Sequence, residues 1–403
     1  MRKRLLEGVK ICDFCWVWVG PMTTKTLADQ GAQVIKIEGK SRPDVWRVSP
    51  PFKDNIVGYN RGGIFNIINS SKKSITLNLS KPKGIEIAKK LVAWADVVTE
   101  NFAGGAMEKM GLSYAELKRI KPDIIMLSAA MMGQTGPYTN MPGFGAQLTA
   151  LSGFTHVAGW PDREPADLGH YTDFIAPRYN ALAILAALDY RRRTGKGVHL
   201  DMAQFEGCVN FIAPLILDYT VNGRVAGRMG NRSTHASPHG AFRCRGEERW
   251  CVVAALNDEE WQSFCKIIGN PDWTKEPRFN TLLGRKENED EMERLIETWS
   301  VNHPPERVMT IMQAAGVNAG VVQDSEDLID RDLHLKERNY YPEIEPAEMG
   351  KYFTIAPPYK LSKVSHDIHP APLMGEHNEY VFKEILGMSD EEIGDLVAEG
   401  VVE

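Results

Sequence analysis

The chain has 403 residues, of which 43% are hydrophobic and 25% charged, and its formal net charge is -6 at pH 7. This length favours two or three domains with sizeable cores, and the acidic balance offers no basic surface for nucleic acid or anionic membranes. No segment approaches the ~20 apolar residues of a membrane span, and the opening MRKRLLEGVK lacks the apolar core of a signal peptide. We therefore expect a cytoplasmic globular protein that binds neither membrane nor nucleic acid.

The first half alternates short β-rich runs with longer amphipathic runs, which predicts an α/β fold with a parallel sheet covered by helices. The predicted strands are VKICDF, AQVIKIE, SITLNL, DVVTEN and DIIMLSA, and the predicted helices are PMTTKTLADQG, KGIEIAKKLVAWA and SYAELKRIK. Ligands of such sheets bind beyond the carboxyl ends of the strands, where we expect Gly20, Glu38, Asn101, Phe102 and Ala130. No GxGxxG or Walker A motif is present to indicate a dinucleotide or nucleoside triphosphate.

The six cysteines are too few and too scattered for a disulfide framework in a chain of this length. Cys12 and Cys15 form a C-x-x-C, but they lie in an apolar run that is typical of a buried strand. No second pair completes a zinc site. We expect reduced thiols and no metal.

A Gly-, Arg- and Ser-rich stretch after residue 220 is typical of a linker. A strand at RWCVVAAL and helices at DEEWQSFCKIIG, ENEDEMERLIETWSV and PERVMTIMQAAG then predict a second unit, and a final amphipathic helix starts at NEYVFKEILG. The predicted division is a large domain from 1–220 and 329–403, with a small domain and its linker at 221–328.

Asp173 lies where the polar loop GHYTD meets the long apolar stretch FIAPRYNALAILAALDYRRRTGKG. Aspartate is a preferred N-cap, and Pro177 would fall in the first turn of the helix. The position therefore suits a helix cap or a nucleophile. The two roles are compatible, since a helix start also offers positive potential to an anion.

Motifs along the whole chain resemble the class III CoA-transferase family, which includes formyl-CoA and carnitine CoA-transferases. They are GPMTTKTLADQGAQVIKIE, SKKSITLNLSKPKG, DVVTENFAGGAMEKMGLSYAEL, PDIIMLSAAMMGQTGP, the Asp173 segment, RRRTGKGVHLDMAQFE and the closing GEH. The resemblance implies a large Rossmann-like domain built from both chain ends and a small inserted α+β domain. It also implies an interlocked dimer, either of two copies or of this chain with a related subunit.

The resemblance implies that Asp173 is the covalent nucleophile of a transfer of CoA from an acyl-CoA thioester to a carboxylic acid. An aspartate with an ordinary pKa of about 3.9 is ionised at neutral pH without a separate base. Its attack would give a mixed anhydride and then an aspartyl-CoA thioester. Water must be excluded, yet the glycine-rich shielding loop of formyl-CoA transferase has no counterpart before RWCVV.

Family contacts with CoA map onto a small set of positions in this sequence, namely Val17, Leu77, Asn101, Phe102 and Lys109. The basic candidates for the CoA phosphates are Lys40, Arg42, Arg47, Lys72 and Lys73, because phosphates require nearby cations. Three CoA-contacting residues of formyl-CoA transferase are replaced here by Gly39, Ala130 and Gln204. We therefore expect a partly different set of charges to hold CoA.

Trp18 replaces an active-site glutamine of formyl-CoA transferase, and Trp16 is predicted to face the same way because it lies two residues earlier in a strand-to-turn run. An indole favours a bulky or aromatic acid, such as an aryl-substituted succinate, over oxalate or formate. Trp46, Met131 and Met132 could line the same pocket.

Two other functions remain open at this point. The superfamily includes α-methylacyl-CoA racemases, whose histidine base lies in Gly-His-Asp, whereas this chain has Gly143, Phe144 and Gly145 there. A non-catalytic subunit of a hetero-oligomer is the other alternative. His235 and His239 are expected to stabilise turns, and His377 to join the two halves of the large domain.

Overall fold

The computed structural model describes residues 4–364, 366 and 368–403. Its larger unit is built on a six-stranded parallel sheet in the order β3-β2-β1-β4-β5-β6. This is the strand order of the doubly wound Rossmann sheet, in which the order reverses between β1 and β4. The strands are β1 Lys10–Asp13, β2 Gln33–Glu38, β3 Lys73–Thr76, β4 Val97–Glu100, β5 Ile125–Ala130 and β6 His199–Ala203.

Helices cover both faces of this sheet because successive strand residues point to opposite sides. On one face Ile35 packs with Ile87 and Leu91, and on the other Val34 packs with Leu27 and Ile184. The helices of this part are α1 Val19–Ala28, α2 Gly63–Ile68, α3 Pro82–Trp94, α4 Ala106–Lys109, α5 Tyr114–Ile120, α6 Gly145–Leu151, α7 Phe154–Val157, α8 Thr172–Thr194, α9 Gln204–Val209 and α10 Ala213–Asn222.

The smaller unit holds a three-stranded antiparallel sheet in the order β7-β8-β9. Its elements are β7 His239–Arg243, β8 Trp250–Ala254, α11 Asp258–Ile267, α12 Leu282–Glu287, α13 Glu289–Ser300, α14 Pro305–Ala314 and β9 Asn318–Val321. Trp261, Phe264, Met292 and Val308 are fully buried and form the centre of a separate core.

The chain end adds α15 Leu333–Glu337, β10 Glu343–Ile344, β11 Tyr352–Phe353, a π-helical turn Tyr380–Ile385 and α16 Asp390–Ala398. It returns to the edge strand β3, where the Thr76 amide donates to Asn378 Oδ1 at 2.8 Å and the Thr76 hydroxyl donates to the Glu403 carbonyl at 2.6 Å. His377 also reaches this strand, since its amide donates to the Ser74 carbonyl at 2.9 Å. Both ends of the chain therefore build the larger unit.

The compact units differ from the predicted division in their boundaries. The larger unit includes the chain up to Thr155, Asp167–Val225 and the chain from Lys336, and the smaller unit includes His156–Ala166 and Ala226–Leu335. The predicted break after residue 220 falls inside α10, which ends only at Gly223 in the left-handed conformation. The excursion at 156–166 was not predicted. No helix of the described residues is long and apolar enough to cross a membrane.

Candidate active site

The loops that follow β1 and β4 meet at the carboxyl edge of the sheet, where the strand order reverses. The Asn101 amide side chain binds both backbone groups of Trp16, accepting from its N–H and donating to its carbonyl, each at 2.8 Å. The next residue, Val17, has a φ of 65°. A β-branched residue in this left-handed region costs about 1–3 kcal/mol, and such strain persists only where surrounding contacts enforce it.

This conformation of Val17 corrects the expectation that Trp16 and Trp18 face the same way. The Trp16 ring meets Phe102 edge-on at a centroid distance of 5.8 Å. The Trp18 ring instead contacts a different aromatic group, because the left-handed residue between them breaks the alternation of an extended strand.

We call this second group the Trp18 cluster. The Trp18 ring lies 5.2 Å from Phe174, 5.5 Å from His170 and 6.1 Å from Trp46, measured between centroids. These spacings are typical of edge-to-face aromatic packing. His170 and Phe174 flank Asp173 in the chain, so the cluster brings Trp18 and Trp46, two of the predicted pocket residues, beside the start of α8. Met132 is half-buried in the loop after β5.

Asp173 is the second residue of α8, and Tyr171 takes the N-cap position without a side-chain cap. Among the described residues its carboxylate accepts only a long hydrogen bond, from the Thr172 hydroxyl at 3.5 Å. The expectation that Asp173 caps the helix is therefore wrong, because a capping carboxylate accepts a backbone N–H. The half-buried carboxylate is left largely unpaired.

The environment of Asp173 also corrects the assumption of an ordinary pKa. Burial raises the pKa of Asp173 to about 6, against smaller opposing effects of His170 and the Thr172 hydroxyl. Most molecules still carry the carboxylate at neutral pH, and poor solvation of that charge favours its attack on an electrophile.

Gly145, the first residue of α6, packs against this carboxylate. A Cβ at this position would lie 2.6 Å from Asp173 Oδ1 and 2.6 Å from His170 Cβ, closer than real Cβ atoms approach other atoms. The Gly145 carbonyl also accepts from the Thr172 hydroxyl at 3.2 Å. In the sequence, Gly145 stood out only as part of the departure from the racemase Gly-His-Asp motif, and no role was predicted for His170. The available signal was that His170 and Phe174, two residues with aromatic rings, flank Asp173 in the chain.

The expected CoA contacts follow the strands along one edge of the sheet. Val17 and Phe102 are half-buried beside Asn101, and Lys109 is exposed at the end of α4. Leu77 is 2% exposed, and its amide donates to the Glu38 carbonyl at 2.6 Å. Lys40 and Arg42 are exposed in the loop after β2. The three residues that replace CoA contacts of formyl-CoA transferase are all buried, namely Gly39, Ala130 and Gln204.

Arg47 cannot bind a CoA phosphate as expected. Its guanidinium is fully buried, makes two 2.7 Å bonds to the Glu38 carboxylate and donates to the Tyr59 and Pro372 carbonyls. Lys72 is likewise buried, with its ammonium 3.2 Å from Asp13 Oδ2. Lys73 lies at the start of β3, with its ammonium 4.7 Å from the Tyr380 ring centre. Sequence position alone did not show these partners.

The buried carboxyl group of Glu100 at this edge was also missed. Burial raises the pKa of Glu100 to about 7, and its Oε2 accepts from the Phe102 amide at 2.8 Å. Glu100 therefore supports the backbone between Asn101 and Phe102. Its position as the last residue of a wholly buried strand was the available signal.

The remaining candidates have structural partners. His239 begins β7 and contacts the Asn231 carbonyl at 2.6 Å, and the His235 amide donates to the Ser233 hydroxyl at 3.1 Å. All six cysteines are free and buried, and burial raises the pKa of Cys12 and Cys15. Within the described part of the chain, no group of His, Cys, Asp and Glu side chains is arranged to hold a metal ion.

Comparisons with known proteins show the family of this chain. The family model for CoA-transferase family III matches residues 6–378. The chain is 30% identical to the succinyl-CoA–D-citramalate CoA-transferase of Chloroflexus aurantiacus, covering 99% of this chain and 98% of the relative. It is 31% identical to the succinyl-CoA:glutarate CoA-transferase of Homo sapiens, covering 99% and 90%.

A crystal structure of a CaiB/BaiF family protein from Brucella suis superposes with a TM-score of 0.87 at 29% identity, covering 95% of this chain and 100% of that one. The match extends over the mixed α/β fold and its parallel sheet. The chain therefore belongs to CoA-transferase family III.

Proposed function

We propose that the chain moves CoA from an acyl-CoA thioester to a carboxylic acid through covalent intermediates on Asp173. The observation that carries this proposal is the Asp173 carboxylate itself, which is half-buried, largely unpaired and flanked by the aromatic rings of His170 and Phe174. A structural carboxylate at a helix start would accept backbone amides. A nucleophile needs its oxygen lone pairs free.

The proposed steps balance without a metal or a separate base. An Asp173 oxygen adds to the thioester carbonyl, the C–S bond breaks, and CoA thiolate leaves an acyl-aspartyl anhydride. The thiolate then attacks the Asp173 carbonyl carbon and releases the first acid as its carboxylate, which leaves an aspartyl-CoA thioester. The incoming carboxylate attacks that thioester and expels CoA thiolate, which leaves a second acyl-aspartyl anhydride. The thiolate then attacks the acyl carbonyl of the incoming acid, which forms the new acyl-CoA and regenerates the Asp173 carboxylate.

The proposed CoA site follows the carboxyl edge of the sheet. We propose that the pantetheine or the nucleotide contacts Val17, Leu77, Asn101 and Phe102. We propose that the phosphates contact the exposed cations Lys109, Lys40 and Arg42. Arg47 is left out because Glu38 already occupies its guanidinium.

We propose succinyl-CoA as the donor, since both curated relatives carry that substrate in their names. For the acceptor we propose a bulky or aromatic acid, such as an aryl-substituted succinate. The Trp18 cluster supports this choice because its rings stand beside Asp173 and offer an apolar, aromatic wall.

We further propose that the chain works as an interlocked dimer with a second copy or with a related subunit. Large apolar side chains are exposed along α8 and α10, including Leu182 at 64%, Leu217 at 63% and Val221 at 69%. Exposed apolar surface of this extent is typical of a protein interface. Some partner surface is therefore expected to cover it.

The decisive experiment compares the protein with its Asp173→Asn variant. Incubation with succinyl-CoA alone should leave a hydroxylamine-sensitive acyl or CoA group on the peptide that contains GHYTDFIAPR, detectable by mass spectrometry. The variant should form no such group and lose at least about a thousandfold in transfer rate, because an amide cannot form the anhydride. Its melting temperature should change little, since the Asp173 side chain makes no strong bond.

Asp167→Asn is the matched control, because this carboxylate is exposed in the loop before α8 and accepts from the nearby Gly169 amide at 2.7 Å. It should keep the adduct and the transfer rate. Substantial transfer by Asp173→Asn would contradict the nucleophile role. Exchange of the substrate α-proton for deuterium without any adduct would instead identify a racemase, and no turnover of any acyl-CoA in a folded protein would indicate a non-catalytic subunit.

A further inference from the structure

One buried carboxylate connects the two segments that carry the tryptophans of the Trp18 cluster. Asp44 is fully buried, and its Oδ1 accepts from the Val17 amide at 3.3 Å and from the Trp46 amide at 3.2 Å. Its Oδ2 accepts from Lys36 Nζ at 3.0 Å. The same side chain therefore holds the residue before Trp18 and the backbone of Trp46.

Lys36 extends this connection to the other side of the loop. Its ammonium is fully buried and donates to the Cys15 carbonyl at 2.6 Å as well as to Asp44. Burial opposes the charge, yet the carboxylates of Asp44, Glu38 and Asp13 raise the pKa of Lys36 above its usual value. Lys36 thus stays protonated, and the Lys36–Asp44 pair binds backbone groups on both sides of Trp16.

The loop needs such support because Val17 has a positive φ of 65°, which β-branched residues avoid. Asn101 fixes Trp16 from the β4 side, and Asp44 fixes Val17 from the β2 side. Because the two preceding residues are held, the position of the Trp18 ring against Phe174 and His170, which flank Asp173, is fixed.

We infer that Asp44 is a positioning residue for acyl selectivity, which keeps Trp18 and Trp46 in their relative places beside Asp173. The inference rests on the proposed function, because it takes the cluster at Asp173 as the acyl pocket. In this role Asp44 contacts neither the reacting carbonyl nor the pantetheine and nucleotide of CoA. Its loss should alter which acid fits and leave the covalent step available.

The test measures kcat and KM of Asp44→Ala for phenylacetate and for acetate, with succinyl-CoA as donor. The ratio of the two kcat/KM values should fall at least about tenfold, mainly through a higher KM for phenylacetate, because misplaced rings no longer match the bulky acid. The Asp173 adduct should still form. Asp44→Asn should restore most of the ratio, since its amide oxygen can still accept from Val17 and Trp46.

Asp29→Ala is the matched control, since Asp29 is also buried and paired with a lysine, Lys25 at 2.5 Å, but touches neither tryptophan segment. It should lower the melting temperature and leave the selectivity ratio unchanged. If Asp44→Ala fails to fold, Asp44→Ser serves in its place, because the shorter serine side chain retains a cap for the Trp46 amide but gives up the bond from the Val17 amide. Its ratio should also fall.

The inference is overturned if folded Asp44→Ala or Asp44→Ser keeps the wild-type ratio, or if Asp29→Ala lowers the ratio as much. Adduct formation by the wild-type protein distinguishes a failure of this inference from a failure of the proposed function. If the unaltered protein forms no adduct at Asp173, the proposed mechanism fails whatever the Asp44 variants do. If the adduct forms and the ratio does not respond to Asp44, only the positioning role fails.

Discussion

The reactivity that we propose for Asp173 depends on the location of its carboxylate and on its lack of strong hydrogen bonds. It lies in the first turn of α8, half-buried among aromatic rings, with one weak hydrogen bond from Thr172. Gly145 provides the space, since any side chain there would collide with Oδ1. A poorly solvated carboxylate next to a glycine backbone can approach a bulky thioester more closely than a capped one could.

The raised pKa of Asp173 gives a pH dependence with a definite sign. The proton must leave before the carboxylate can attack, so the rate of adduct formation should rise as pH increases through about 6 and then level off. Below the pKa the rate should fall about tenfold per pH unit. Rapid quenching of the wild-type reaction with succinyl-CoA between pH 5 and 8, followed by mass spectrometry of the Asp173 peptide, measures this profile.

The melting temperature over the same pH range is the control, because a loss of folded protein at low pH would imitate the loss of carboxylate. A rate that is flat from about pH 5 to 8 would contradict a raised pKa. A rate that falls with increasing pH would show that a protonated group is required instead.

At the scale of elements, the sequence pattern predicted most strands of the parallel sheet, because an element with a clear run of apolar residues can be recognised without its partners. The alternation of short β-rich runs and amphipathic runs predicted β1 to β5 and the helices α1, α3 and α5, and these strands are buried over most of their length. The short helices α2 and α4 were not predicted. The edge strand β6 was missed, since HLDMA is short, includes the polar residues His199 and Asp201, and is only partly buried. The covering helix α8 was predicted because its apolar stretch is long.

Within the site, the sequence could place residues at the carboxyl edge but could not choose their partners. Arg47 follows a strand and looks available to a phosphate, yet its guanidinium binds Glu38, nine residues earlier in the chain. The left-handed Val17 was equally invisible, because no residue type signals a strained valine. Asp44 was missed for a related reason: its role depends on three segments that meet only in the folded protein.

The short helix α4 ends with Lys109, which we propose contacts a phosphate of CoA. Lys109 is exposed at its end, eight residues after Asn101. Lys109→Ala should raise KM for succinyl-CoA about three- to tenfold and leave kcat unchanged, since a phosphate contact holds the ground state and transition state equally.

Steady-state kinetics at about 150 mM salt measure this effect, and Lys118→Ala on α5 is the control for a lost surface charge. The control should leave both constants unchanged. If Lys109→Ala lowers kcat and does not change KM, the assignment of Lys109 to a CoA phosphate is wrong.

At the scale of the molecule, the exposed apolar faces of α8 and α10 predict an assembly. A homodimer should sediment at about 90 kDa, twice the 45.1 kDa of one chain, and its mass should persist at low micromolar concentration because interlocked subunits separate only by unfolding. Sedimentation velocity measures this mass. Aggregation of the chain alone, relieved by co-expression with a related subunit, would support the hetero-oligomer, and a folded monomer would contradict both.

The contacts between β3 and the end of the chain also have a consequence for synthesis. The Asn78 amide donates to the Val401 carbonyl at 2.8 Å, and the Ser41 amide donates to Glu403 Oε2 at 2.9 Å, so this edge is closed by residues that the ribosome adds more than 300 positions later. The smaller unit ends near Leu335 and can bury its core while that closing segment is still being made. The unit whose first strand is translated earliest is therefore the one that finishes folding last.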